Sequence, residues 1–413
     1  MKSWASVVIP ELNDSFNFPP ISLTNSKTLK SEVVPKKDTY RMYVCGITPY
    51  DATHLGHAAT YLTFDLIIRY LRASGSEVLY VQNITDIDDP LLERATRDNL
   101  DWEDLATSQI DLFRGDMLNL RVIPPTHYIG AVEAIDLVSE AVTALQAAGS
   151  IYSIEQDLFF KNYSSQDFGS LSHLDKETMK DIFSQRGGNP ILAGKIDPLD
   201  CLVWMAKREG EPGWPSVHGV GRPGWHIECT AIALKYLAPV ESDETCIDIQ
   251  GGGSDLIFPH HEMCAAQAQV LTGKELAANY VHAAMIGLDG EKMSKSKGNL
   301  VFVSKLIKSG TDPMVIRFAL MSQHYRLDRM WTDELLEEAT KRLANIRKAL
   351  SAPSVAPTKP VIEKIILALS GDLNTPMALA ELDKWALDSL NEVSGGEAKE
   401  LSTALDALLG LAL

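Results

Sequence analysis

Cysteine is scarce in this chain: five residues in 413. That is too few for a disulfide scaffold, so the thiols are buried groups, metal ligands or reactive centres. No apolar run approaches the roughly 20 residues of a membrane-spanning helix. The chain opens with only a short apolar piece before Glu11 and Asp14, which is not the pattern of a secretory leader. Cytoplasm is the expected compartment, with no membrane partner. Cations are outnumbered, 38 Lys and Arg against 55 Asp and Glu, for a formal charge of −17. An acidic surface is a poor non-specific binder of nucleic acid, although a local basic patch can coexist with it. No internal repeat is visible, which excludes a solenoid or propeller. What is present is a globular composition, long enough for two or three domains with substantial cores.

The stretch that organises the chain is 42–57, which contains Cys45-Gly46-Ile47-Thr48 and ends His54-Leu55-Gly56-His57. An apolar run reads as a buried strand. A Gly/Pro-containing turn follows, then a helix with Tyr61, Phe64, Ile68 and Leu71 on one face, then a second apolar run over 78–81. This is a strand–helix–strand unit of a parallel sheet. It places two histidines where a helix begins, and the free N–H groups there suit a phosphate. Gly56 would let a nucleotide base lie close to the backbone.

The second run ends in Gln82-Asn83-Ile84-Thr85-Asp86-Ile87-Asp88-Asp89. Polar groups at the C-terminal end of a parallel strand face the ligand crevice. Asn83 and Thr85 are the better candidates for substrate contact, and the aspartates for capping the next helix. Five segments are expected: 1–121, a lead-in and the first half of the nucleotide-binding domain; 122–211, an insertion with a helix over 131–148, a β-like stretch over 151–161 and a glycine-rich loop over 185–190; 212–287, the second half; 288–350, a lysine loop and helical stem; and 351–413, a helical bundle. In the loop over 185–190, Arg186 could reach a phosphate or a sugar. The second half is expected to hold a short strand over 246–250 that ends in Gly251-Gly252-Gly253-Ser254-Asp255, then a helix opening at Pro259, then a strand over 280–286. The stretch 350–360, rich in Ala, Ser and Pro, reads as a linker.

Cys45, Cys229, His260 and Cys264 are ligands of the kind zinc prefers. His260 and Cys264 share a helix face by their spacing of four. All four positions can converge at the crevice, whereas Cys201 and Cys246 sit in apolar runs and read as buried thiols.

Far downstream stands Lys292-Met293-Ser294-Lys295-Ser296. Together with His54-Leu55-Gly56-His57 it resembles the two signature motifs of class I aminoacyl-tRNA synthetases. The stretches 43–48, 222–229 and 251–262 resemble cysteinyl-tRNA synthetase over most of the first 325 residues. Three features turn the resemblance toward another branch, the cysteine ligases of mycothiol biosynthesis in actinobacteria. The chain stops soon after Asp372-Leu373-Asn374-Thr375-Pro376, where a synthetase would continue into an anticodon-binding region. His57 is followed by Ala58-Ala59-Thr60 rather than a basic residue. The opening residues and 48–54 are close to that branch, and the loop over 185–190 resembles one often acidic there.

The resemblance implies an α/β fold: a class I synthetase-like Rossmann (HUP) catalytic domain with an insertion, followed by a C-terminal helical domain. It implies an ATP-dependent ligase that joins L-cysteine to the amine of glucosaminyl-inositol through cysteinyl-adenylate, releasing pyrophosphate and AMP. ATP would come with Mg2+. One Zn2+ would be held by Cys45, Cys229 and His260 and would recognise the substrate thiol, with Cys264, where the synthetases carry a glutamate, a possible fourth ligand. His54 and His57 would stabilise charge on the phosphates. Lys292 and Lys295 would clamp the leaving pyrophosphate. Asp255 would act as base or anchor the cysteine ammonium. Thr48, Thr85 and Trp225 would line the cysteine pocket, and Thr60 and Ile286 would seat the adenylate. Gly46, Ile47, Asn83, Ile84, Gly253 and Ser254 would complete that surface. A monomer is expected. The competing readings are a compact cysteinyl-tRNA synthetase, disfavoured by charge and length, and a catalytically dead paralogue, disfavoured by the intact set of histidines, lysines and cysteines.

Overall fold

The computed structural model describes the chain except residues 13–14, 52, 239–240, 242, 289 and 294–297, and gives 291 and 292 by backbone alone. A hairpin of β1 (Ser22–Asn25) and β2 (Lys30–Val33) leads into β3 (Thr39–Val44), α1 (Leu55–Ala73) and β4 (Glu77–Ile84). Helices α2 (Asp89–Asp98) and α3 (Trp102–Asn119) precede β5 (His127–Gly130). An inserted module then carries α4 (Ile135–Ala147), β6 (Ile151–Ile154), β7 (Asp157–Phe160), α5 (Lys176–Gln185), β8 (Cys201–Ala206) and β9 (Gly221–Pro223). The chain returns through α6 (Trp225–Tyr236) to β10 (Thr245–Gly253), α7 (Glu262–Thr272) and β11 (Glu275–Ala283).

The central sheet runs in the order β11-β10-β3-β4-β5, every pair parallel. From β3 the chain moves outward to β4 and β5, then re-enters on the other side of β3 with β10 and β11. The winding therefore reverses between β3 and β10, and ligands of such sheets bind at the carboxyl ends of the strands at that point. Cys45 and Gly253 lie there, and the Cys45 amide donates to the Gly251 carbonyl at 3.1 Å.

Strand β10 is longer than the sequence suggests. The glycines 251–253 belong to it, because β3 and β11 flank it and satisfy its backbone. A Cβ on Gly251 would sit 2.2 Å from the Phe64 ring of α1, so glycine there lets the helix pack onto the strand. The expected strand over 280–286 is two: β11 ends at Ala283, and β12 (Ile286–Leu288) pairs with β13 (Glu291–Lys292) and β14 (Arg329–Trp331) in a separate small sheet.

The helices α8 (Val303–Lys308), α9 (Pro313–Met321), α10 (Asp333–Leu350), α11 (Lys359–Ser370), α12 (Thr375–Leu390) and α13 (Ala398–Leu409) complete the chain. They share one apolar core with α1 and the sheet, running from Phe64, Ile67 and Phe113 through Ile316, Phe318 and Leu343 to Leu379, Leu405 and Leu409. Spacing alone shows only one apolar face of α1. Both faces are buried, because the sheet covers one side and the C-terminal helices the other. In the stretch read as a linker, Val355 and Ala356 are buried, and Val355 bridges Gly396. Inside this core Asp65 pairs with Arg69 at 2.7 Å and with Arg317, all three side chains inaccessible to solvent. Arg317 also donates to the carbonyls of Leu409 and Leu120, and Arg69 to those of Asp406 and Arg121.

Candidate functional site

Helix α1 begins at the crevice with His54 as its N-cap. His54 Nδ1 accepts the Gly56 amide at 3.1 Å, which leaves the proton on Nε2. The His57 ring stacks on His54 with centroids 3.8 Å apart. No acid lies in the first turn to offset the helix dipole. Gly56 also makes room for the histidine ring: a Cβ there would lie 2.8 Å from His54 Cε1 and 2.9 Å from Nδ1.

The histidine turn is joined to the segment that follows the lysine stretch. His54 and Phe302 form an antiparallel bridge, the Leu55 amide donates to the Val301 carbonyl, and the Val303 amide donates to the Thr53 carbonyl. The segment that leaves the lysine loop is thus stitched to the histidine turn. Lys292 stands in β13 opposite Gly287, next to Ile286. Its side chain, and Lys295 altogether, lie outside the described residues.

On the other side of the crevice, Cys45, Cys229 and His260 bring one ligand atom each to within 4.8 Å of the others, all buried. They come from the end of β3, from α6 and from the turn before α7. Burial pushes the Cys45 thiol well above its ordinary pKa. Burial also opposes a thiolate at Cys229, yet the neighbouring Cys45 thiol and the His260 ring with its charge hold its pKa well below the usual value. The His260 ring stacks on Trp225, centroids 4.5 Å apart, and its Nδ1 faces His226 Nδ1 at 3.0 Å. A second nitrogen fixed in this way orients the other toward a metal. Two thiols and an oriented imidazole suit zinc and leave a coordination position open. Cys264 adjoins this trio at His260 without joining it: its thiol donates to the His226 carbonyl at 3.3 Å and lies 3.9 Å from His260 Nε2.

Asn83 and Thr85 are engaged within the protein. Asn83 Oδ1 accepts the Gly46 amide, and both side chains donate to Glu228 Oε1 at 2.9 and 2.8 Å. Gly46 has to be glycine, since a Cβ would lie 1.7 Å from the Asn83 carbonyl oxygen. Ile47 and Ile84 are buried beneath this network, and Thr48 reaches Asp88 at 3.5 Å. Thr60, Gly253 and Asp255 do come together: a Cβ on Gly253 would meet Asp255 Oδ1 at 2.6 Å and Thr60 Oγ1 at 3.8 Å. Ser254 begins the short 3-10 turn that carries Asp255. Ile286 is buried in the small sheet beside α1.

Arg186 is engaged within the protein. Its guanidinium donates to the carbonyls of Asp255 and Phe258 and pins the turn between β10 and α7. Reasoning from sequence also passed over a buried chain behind the trio. Cys45 Sγ lies 3.1 Å from His261 Nε2, His261 Nδ1 lies 2.7 Å from His282 Nε2, and His282 Nδ1 lies 2.7 Å from Ser26 Oγ. Burial holds His261 well below its ordinary pKa and pulls His282 down to about 3, so both rings are neutral. His261 was visible in the pair Pro259-His260-His261. His282 and Glu228 carried no spacing signal.

Residues 31–341 match the model of the class I (C) tRNA synthetase catalytic domain. The chain is 50% identical over 420 residues to the L-cysteine:1D-myo-inositol 2-amino-2-deoxy-alpha-D-glucopyranoside ligase of Nocardia farcinica, covering all of both chains. It is 54% identical over 387 residues to the ligase of the same name from Kribbella flavida, covering 92% of this chain and 93% of that one. Among solved structures it resembles Mycobacterium tuberculosis methionyl-tRNA synthetase in complex with methionyl-adenylate, with TM-score 0.62, 17% identity, and 91% and 89% of the two chains covered. Leucyl-tRNA synthetase of Agrobacterium radiobacter K84 in a ternary complex gives TM-score 0.61 at 12% identity, covering 91% and 83%. These likenesses agree on the fold, and the full-length identity is to one group within it. The chain belongs to the class I tRNA synthetase catalytic-domain family, in its branch of L-cysteine:1D-myo-inositol 2-amino-2-deoxy-alpha-D-glucopyranoside ligases.

Proposed function

We propose that this protein activates L-cysteine with ATP and transfers the cysteinyl group to the amine of glucosaminyl-inositol, forming an amide in mycothiol biosynthesis. Identity of 50% across the whole length of named ligases carries this reading, and the buried Cys-Cys-His trio at the switch point of the sheet supports it.

In the first step a carboxylate oxygen of cysteine attacks the α-phosphorus of ATP. The bond to the β-phosphate oxygen breaks and pyrophosphate leaves. The α1 N-terminus with His54 and His57 faces the charge that grows on the phosphates. Lys292 and Lys295 would hold the departing pyrophosphate, and Mg2+ would accompany the nucleotide. In the second step the neutral amine attacks the acyl carbon, the bond to the phosphate oxygen breaks, and AMP leaves. The acceptor arrives as an ammonium and sheds a proton first, so a carboxylate at the crevice is needed. Asp255, folded against Gly253 and Thr60, is suited to that or to pairing with the cysteine ammonium. Zinc held by Cys45, Cys229 and His260 would supply a soft Lewis acid that distinguishes a thiol from a serine hydroxyl.

The test is incubation with ATP and cysteine plus either glucosaminyl-inositol or tRNA, with mass detection of products. The amide should form and tRNA should stay uncharged. Charged tRNA with no amide would establish the compact synthetase instead.

A further inference from the structure

Beside the crevice lies an open cleft of about 720 Å3, between α2 and the turn that follows β8. Its size falls within the roughly 300–1,000 Å3 of small-molecule sites. One wall is α2, with Asp89, Leu92 and Glu93; the floor is the start of α3, with Trp102; the opposite wall is Glu211 and Pro212. Arg222, its side chain only 6% exposed, ties the walls together by pairing with both Asp89 and Glu211. With Asp89, Glu93, Asp101 and Glu211 set against Arg97 and Arg222, the walls keep a negative charge. Trp102 packs edge-on against Trp214 at 6.3 Å and is half-buried, which offers an aromatic surface to the apolar side of a ring.

The cleft is linked to the candidate active site through the start of α2: Asp89 on its wall follows Asp88, and the Arg222 charge acts on both. Asp88, the residue before Asp89, caps α2 with Oδ1. Its Oδ2 faces the Thr48 hydroxyl at 3.5 Å, in the segment that leaves Cys45. Burial and the neighbouring Asp89 push the Asp88 carboxyl up to about 6, so it is anionic at neutral pH and still able to take a proton. Three residues beyond Arg222 the chain reaches Trp225, stacked on His260.

We propose that the amino-sugar acceptor binds in this cleft, its hydroxyls against Asp89 and Glu211, one ring face on Trp102, and its ammonium received by Asp88 beside Thr48. This rests on the ligase reading above and names its acceptor subsite. The chemistry fits a small cationic polyol. It disfavours a polyanion such as the end of a tRNA, which the carboxylates would repel.

The test compares two assays on the full-length protein. Cysteine-dependent ATP–pyrophosphate exchange needs no acceptor and reports the first step. Amide formation with glucosaminyl-inositol reports both. Trp102→Ala and Glu211→Gln should each raise the acceptor KM tenfold or more while exchange stays within twofold of the parent, and Trp102→Phe should restore the KM to within about threefold; Asp88→Asn, which also touches Thr48, should raise the acceptor KM by a larger factor than it slows exchange. An acceptor KM unchanged in all three would overturn the subsite. So would exchange and amide formation falling by the same factor, which is the mark of a merely structural role. If the parent protein exchanges pyrophosphate yet forms no amide, the ligase reading fails and the subsite with it. If the parent forms amide and the variants match it, the subsite alone fails.

Discussion

Asp116 is a buried carboxylate near the histidine turn, 2% exposed, with Oδ2 lacking a hydrogen-bond partner. Burial pushes its pKa up to about 7, against the pull of the Thr53 hydroxyl, the Ser304 backbone and Lys308. The folded value is above the unfolded one, so the folded protein binds the extra proton between about pH 4 and 7 and loses stability as pH rises through that window. Asp116→Asn should therefore be more stable than the parent at pH 8, by on the order of 1–3 kcal/mol, and gain little at about pH 4. Melting temperatures at the two pH values check this, and equal differences at both would refute it. At the trio, the position of Cys264 outside the mutual reach of Cys45, Cys229 and His260 has its own consequence. Cys264→Ser should retain one zinc per chain after chelator-free purification, whereas Cys229→Ser and His260→Ala should lose it, as elemental analysis will show. The candidate ligands were legible because Cys and His are few and chemically marked. The partners of Arg186 were not legible, because an arginine in a glycine-rich loop looks the same in sequence whether it faces a ligand or a backbone carbonyl.

Helix α1 is positioned by what surrounds its first turn. Its amides are capped by His54, and its entry is bridged to the strand-like segment over 301–303. Gly56→Ala separates helix stability from site geometry. Alanine favours the helix by about 0.5–1 kcal/mol over glycine, but its Cβ would displace the His54 ring. The expected outcome is an unchanged or higher melting temperature with pyrophosphate exchange slowed at least tenfold; unimpaired exchange would mean the ring position is unimportant. The strand–helix–strand order was readable from apolar periodicity, as were β3, β4 and the start of α1. The true length of β10 was not, because glycine carries no apolar signal and only the flanking strands reveal why 251–253 stay extended. The break between β11 and β12 was hidden for the converse reason: the chain is apolar on both sides of it.

Across the whole molecule, Asp65, Arg69 and Arg317 fasten the C-terminal helices to the helix that carries the histidines. Burial would raise the Asp65 pKa, but Arg317 and Arg69 reverse that and hold it below the ordinary value. Removing one member leaves a buried charge short of its partner, at a cost of about 3–5 kcal/mol. Arg317→Ala should lower the melting temperature accordingly, and a change of under 1 kcal/mol would show the network to be incidental. None of this was legible in the sequence, since Asp65, Arg317 and the Leu409 carbonyl are far apart along the chain and meet only in the folded core. The stretch over 350–360 was read as a linker from its Ala, Ser and Pro content, yet it is packed against α12, with the Trp385 indole donating to the Ala356 carbonyl. One apolar nucleus thus extends from the parallel sheet to the last helix. Heat should accordingly melt the nucleotide-binding half and the terminal helices in a single cooperative event, and a calorimetric trace with two separable peaks would contradict it.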